Sequence, residues 1–146
     1  MVEMTGIYDR LFRKHARRVG LDWHLLKAQA YVESGLNPQA ISPAGAKGIA
    51  QFMPATWQDW GEGDVFNPDA CIKAQSRYMV WLMNKFIDAD DPLKFGLAAY
   101  NWGVGNVKKV YKKQKRFFEA WVAMPGETQR YVAKVIFFWE KLRRGG

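Results

Sequence analysis

Residues 22–52 read DWHLLKAQAYVESGLNPQAISPAGAKGIAQF, and this stretch decides the class of fold. Asp22 is a helix-capping residue type, since its carboxylate can accept from the free N–H groups of a first turn. Twelve residues, 23–34, follow without Gly or Pro, and Gly35 supplies a left-handed stop. The stretch therefore predicts a helix ending at Ser34. Beyond it Pro38, Pro43, Gly45 and Gly48 punctuate the 17 residues 36–52, which read as a structured loop.

The same devices recur outward along the chain. Tyr8, Leu11, Phe12, His15 and Val19 form an apolar stripe over 5–19, opposite Arg10, Arg13, Lys14, Arg17 and Arg18. Pro54 opens a short helix through Trp57 and Trp60. Asn67-Pro68 opens one to about Ile87, and Asp91-Pro92 one to about Trp102. A basic helix follows over about 106–118, and a last helix starts near Pro125. Trp23, Trp81, Trp121 and Trp139 fall on helical stripes and read as core. No segment alternates convincingly with period two. The expectation is a mostly α, single compact domain over 1–146, with at most a short β-hairpin.

Composition narrows the function. The 146 residues carry 22 Lys and Arg against 14 Asp and Glu, a net charge of +8 that predicts an acidic partner. One cysteine, Cys71, cannot make an internal disulfide. His15 and His24 with that cysteine make a poor zinc set, so neither metal nor cofactor is expected. The apolar run 135–139 is far shorter than the roughly 20 residues of a membrane span. The first residues, MVEMTGIYDR, have no apolar signal core, which reads as synthesis in the cytoplasm without an export signal.

Glu33 is the candidate for chemistry. It closes the helix that Gly35 stops, so its carboxylate meets the negative end of the helix dipole. Tyr31, Val32, Phe52 and Met53 can supply an apolar wall. Both effects disfavour the charged form, and a carboxyl kept protonated near neutral pH is a general acid. On position alone, a solvated helix-end glutamate remains the default. The wider pattern changes that balance. Glu33-Ser34-Gly35 is followed by Asn37-Pro38, Ser42-Pro43-Ala44-Gly45-Ala46, Gly48-x-x-Gln51 and Met53-Pro54-Ala55-Thr56. Ala99-Tyr100-Asn101-x-Gly103-x-Gly105 and Glu127-Thr128-x-x-Tyr131-Val132 lie further on.

This ordered set, from about residue 20 to about 135, resembles the catalytic domain of the soluble lytic transglycosylases, relatives of the goose-type lysozymes. The resemblance implies a lysozyme-like fold, formally α+β, with a substrate cleft between 33–60 and 97–131. It implies that Glu33 is the single catalytic acid/base. Gln51 and Met53 would line the sugar cleft, and Tyr100 and Asn101 would hold substrate beside the acid. Glu127 would shape the cleft floor, and Ser34 and Ser42 would orient the loop and the acid. Such enzymes cut the β-1,4 bond between N-acetylmuramic acid and N-acetylglucosamine and leave a 1,6-anhydro end. A hydrolytic muramidase remains the alternative, with Asp59, Glu62, Asp64 or Glu127 as a second carboxylate. A weakly catalytic wall-binding module of a virion stands behind both.

The implied partner is the peptidoglycan glycan strand, met by a monomer in the periplasm or cell wall. A compact chain without an export signal looks like a bacteriophage lysin, either an endolysin or a virion-borne enzyme. Lys108, Lys109, Lys112, Lys113, Lys115 and Arg116 form a basic face that reads equally as solvated or as a site for anionic envelope polymers. Nucleic acid is not expected, because no nucleic-acid fold signature is present.

Overall fold

The computed structural model describes residues 4–145. These are mostly helical, with eight α-helices among the described residues. The contacts divide the chain into two compact units. One runs to Tyr78 and resumes at Val135, and the other is Met79–Lys134.

The first unit holds α1 (Asp9–Val19), α2 (Trp23–Ser34) and α3 (Pro54–Trp60), with most of α4 (Pro68–Asn84) and the end of α8 (Gly126–Arg143). The capping chemistry works as the sequence predicts. Asp22 accepts from the His24 N–H at 3.0 Å, and Gly35, at φ 66°, returns its N–H to the Tyr31 carbonyl. Phe12, Leu26, Ala30, Ile49, Phe52, Cys71 and Ile72 form one buried cluster, so the loop after α2 contributes directly to the core. Isolated antiparallel bridges, Ile41 with Lys47 and Lys47 with Phe52, are the whole β content among the described residues.

Polar pairs lock these helices together. His15 on α1 is 2% exposed and lies 2.6 Å from the Asp69 carboxylate on α4. Lys27 on α2, also buried, reaches Asp9 at 2.7 Å. The two oxygens of Asp22 are divided: Oδ1 serves the start of α2, and Oδ2 accepts from Trp139 Nε1 at 2.9 Å.

The second unit holds α5 (Pro92–Trp102), α6 (Val104–Lys113), α7 (Phe117–Trp121), the end of α4 and the start of α8. Its core is aromatic. Phe86 stacks on Phe95 with centroids 5.4 Å apart, and Tyr111 meets both rings edge-on.

Several sequence expectations need correction. The first helix starts at Asp9 rather than residue 5, and α4 ends at Asn84 rather than near Ile87. The basic helix expected over 106–118 breaks at Gln114, whose backbone is extended. The break has a tertiary cause. Asp90 donates its N–H to the Lys115 carbonyl at 3.2 Å and accepts from the Phe117 N–H at 2.8 Å, which starts α7 anew. Trp81, read as core, is 37% exposed and is covered by the Lys85 ammonium 4.5 Å from its ring.

Candidate active site

Glu33 sits half-buried in the last turn of α2. The next residue fastens that turn to the loop. Ser34 Oγ lies 2.7 Å from the Ile49 carbonyl and 3.1 Å from the Ala30 carbonyl, sharing one proton between them. The same oxygen accepts from the Asn37 N–H at 3.2 Å. A serine here satisfies orphan groups of the helix end and ties it to a segment 15 residues away.

The loop itself is held by hydrogen bonds rather than by regular structure. Ser42 accepts from the Ala46 N–H through its hydroxyl at 3.0 Å and exchanges backbone bonds with the same turn. Lys47 and Phe52 exchange both backbone bonds at 2.9 Å. Gln51 adopts φ 55°, unusual for a residue with a Cβ. Its side-chain amide donates to the Gly48 carbonyl at 2.9 Å and the Ala40 carbonyl at 3.1 Å, which holds the backbone there. Gly48 has φ 86°, and a Cβ on it would stand 2.5 Å from the Val65 carbonyl oxygen. Only glycine fits this position.

Of the apolar wall expected beside Glu33, Phe52 is buried in the core and meets Trp57 edge-on, whereas Met53 is exposed. Tyr31 packs edge-on against Phe138 at 4.9 Å. Trp57 and Trp60 pack on the core, in keeping with a structural part.

In the second unit, Tyr100 and Asn101 lie half-buried near the end of α5. Asn101 Oδ1 accepts from the Thr128 hydroxyl at 2.9 Å. Thr128 is buried, while its neighbour Glu127 is exposed in the first turn of α8. Thr128 was not singled out from the sequence. Its only signal was its place in the Glu127-Thr128-x-x-Tyr131 motif.

The other carboxylates differ in setting. Asp59, Glu62 and Asp64 are all exposed. Glu62 stands loosely between Lys73 at 3.8 Å and Arg77 at 3.9 Å, and Asp64 accepts from the Phe66 N–H in its own turn. Burial pushes the Cys71 thiol up to about 11, so it holds almost no thiolate at neutral pH. Among the described residues, no three His, Cys, Asp or Glu side chains group as a metal site requires.

Residues 10–122 match the family described as the transglycosylase SLT domain. The chain is 41% identical over 118 residues to membrane-bound lytic murein transglycosylase F of Yersinia enterocolitica, covering 77% of this chain and 24% of that protein. It is 40% identical over 121 residues to the protein of the same name from Serratia proteamaculans, covering 79% and 24%. It thus spans about a quarter of the length of these relatives. Among solved structures, it is similar in fold to the 70 kDa soluble lytic transglycosylase of Escherichia coli. That likeness has a TM-score of 0.78 and 24% identity, over 93% of this chain and 24% of that one. An inactive mutant of lytic transglycosylase Slt from Pseudomonas aeruginosa has a TM-score of 0.77 and 23% identity, over 96% and 25%.

Proposed function

The chain belongs to the transglycosylase SLT domain family, and from that premise we propose that it cleaves peptidoglycan as a lytic transglycosylase with Glu33 as its only acid/base. The observation that carries the reading is the placement of Glu33. One half-buried carboxyl stands at a helix end that the Ser34 hydroxyl ties to the Ile49 carbonyl. A general acid must be held in position before its proton is of use.

The reaction needs one such group. Glu33 gives its proton to the glycosidic oxygen between N-acetylmuramic acid and N-acetylglucosamine, and the C1–O bond breaks. The cationic C1 is captured by the 6-hydroxyl of the same sugar, directly or after transient capture by its N-acetyl carbonyl. The Glu33 carboxylate takes the 6-hydroxyl proton, which restores the acid and leaves a 1,6-anhydro end. Water is not consumed. A hydrolase with paired carboxylates needs a second group to activate water or to attack C1. The exposure of Asp59, Glu62, Asp64 and Glu127 gives that alternative little support.

In this reading Gln51, Met53, Tyr100, Asn101 and Glu127 contact or frame the sugars, and Ser34 and Ser42 keep the loop in shape. Support for Tyr100, Asn101 and Glu127 comes from the sequence motifs in which they stand. A finer reading, which we propose from the sequence alone, is a bacteriophage lysin acting at host lysis. It predicts lysis only when the chain is expressed together with a membrane-pore protein.

The test is a digest of purified peptidoglycan with the released muropeptides weighed. Disaccharides one water lighter than the hydrolysed product, and resistant to reduction at the muramic end, are expected. Glu33→Gln should abolish them while its circular dichroism spectrum is unchanged. Reducible, hydrated ends would instead make the chain a muramidase, and full activity of Glu33→Gln would remove the assignment.

A further inference from the structure

The α6–α7 region of the second unit carries two features that wall cleavage does not use. The first is charge. Residues 92–118 contain seven Lys and Arg and no acid. On α6, Lys109, Lys112 and Lys113 are all exposed and fall on one face, opposite the buried Val107. Like charges three and four residues apart on a helix repel one another. No carboxylate among the described residues forms an ion pair with them, nor with the exposed Lys115 and Arg116 that follow. Such a face is held at a cost unless an anionic surface neutralises it.

The second feature is apolar exposure on the helix that follows. Phe118 is 83% exposed and Val122 75% exposed. They are four residues apart on α7 and its helical C-cap, so they form one outward pair. Glu119, between them in sequence, lines a groove of about 220 Å³ with Lys109 and Lys113 of α6. A third exposed apolar residue, Ile87, lies three residues before Asp90, which is bonded to both Lys115 and Phe117.

A soluble polyanion would satisfy the cations but offers nothing to Phe118 and Val122. A lipid bilayer with anionic headgroups satisfies both. Basic side chains meet phosphates, while an aromatic and an aliphatic side chain enter the headgroup and acyl boundary. We propose that the α6–α7 region is a docking surface for an anionic phospholipid bilayer, with Lys109, Lys112 and Lys113 on the headgroups and Phe118 and Val122 inserted. Docking of this kind would hold the chain at the membrane face, within reach of newly made wall, and it does not depend on the catalytic assignment.

The experiment is co-sedimentation of the full chain with vesicles of phosphatidylglycerol and phosphatidylethanolamine, against vesicles of phosphatidylcholine. Soluble polyphosphate and duplex DNA serve as bilayer-free polyanions. Binding to the anionic vesicles and not to phosphatidylcholine is expected. Joint replacement of Lys109, Lys112 and Lys113 by Gln should weaken vesicle binding about a hundredfold at low salt. The double variant Phe118→Ser and Val122→Ser should weaken it tenfold or more, yet bind polyphosphate as the parent does. The melting temperature of the Phe118/Val122 variant should stay at the parent value, since both side chains are exposed, and that of the lysine variant should not fall, since it loses like-charge repulsion. Unchanged vesicle binding by the Phe118/Val122 variant would overturn the proposal. So would a parent chain that binds polyphosphate or DNA but not anionic vesicles.

Discussion

Two residues of the loop after α2 show how a non-regular segment is made rigid. Gly48 is surrounded: a methyl there would meet the Val65 carbonyl oxygen at 2.5 Å and the Cys71 sulfur at 3.1 Å, at a backbone angle that also disfavours any Cβ. Gly45 shares the positive φ, at 96°, but nothing lies within 4 Å of its missing Cβ. Gly45→Ala should therefore cost only backbone strain, about 1 kcal/mol. Gly48→Ala should cost strain and a backbone collision, about 3 kcal/mol. Urea unfolding of the two variants measures the difference, and equal losses would show that the loop yields at Gly48. Gln51 poses a different problem. Its resemblance-derived part is substrate contact, yet both amide donor bonds go to loop carbonyls. Gln51→Ala should thus lose about 2 kcal/mol of stability as two acceptors lose their partner, along with activity. If activity falls with no change in the unfolding midpoint, the side chain serves the sugar and not the loop.

At the scale of the element, helices are placed by polar bonds that run between them as well as by apolar stripes. The α1–α4 pair is the clearest case. Burial is the main reason the His15 pKa is lowered, and Lys14 and Arg18 push the same way, while Asp69 opposes. The hydrogen bond from His15, followed by that from Lys14, holds the Asp69 pKa below the usual carboxylate value against some desolvation. Both folded-state values lie below the unfolded ones, so the unfolded chain binds more protons in each window. Stability therefore rises with pH. The His15 contribution is complete above about pH 6.5 and is lost as pH falls through the folded value. Asp69 adds a further loss below its unfolded value of 3.8. The melting temperature should fall between pH 7 and pH 5. His15→Gln should be less stable at pH 7 by about 1 kcal/mol, discounted for the exposure of Asp69, and should show a flatter pH dependence. A parallel slope in the variant would place the titrating group elsewhere. Legibility followed the range of these bonds. The limits of α2 could be read because Asp22 and Gly35 act within one turn. The break at Gln114 could not, because it depends on Asp90, 24 residues earlier. The second duty of Asp22 depends on Trp139, 117 residues later.

Over the whole molecule, charge and motif were legible in different ways. The ordered motifs supplied the candidate residues, while the structure added what several of them hold: Ser34 the helix end, Ser42 its turn, Gln51 two carbonyls, and Asn101 the unsuspected Thr128. Periodicity placed Trp81 on a core stripe because it cannot distinguish a ring covered by packing from one covered by a lysine. The net charge of +8 was plain from composition, but its distribution was not. Met79–Lys134 holds ten Lys and Arg against five Asp and Glu, and its basic face lies on α6. Attraction of such a surface to anionic headgroups acts at long range, so it is screened over about 10 Å at 0.1 M salt and about 3 Å at 1 M. The proposed bond-breaking step uses one half-buried carboxyl, so it should be far less sensitive to salt. Binding to anionic vesicles should therefore fall steeply as salt is raised from 0.1 M to 1 M, by tenfold or more. Turnover of a short, soluble glycan without phosphate should change by less than about twofold over the same range. A flat salt profile for vesicle binding would separate the basic face from bilayer docking, and a steep one for turnover would place a charge dependence in the catalytic step.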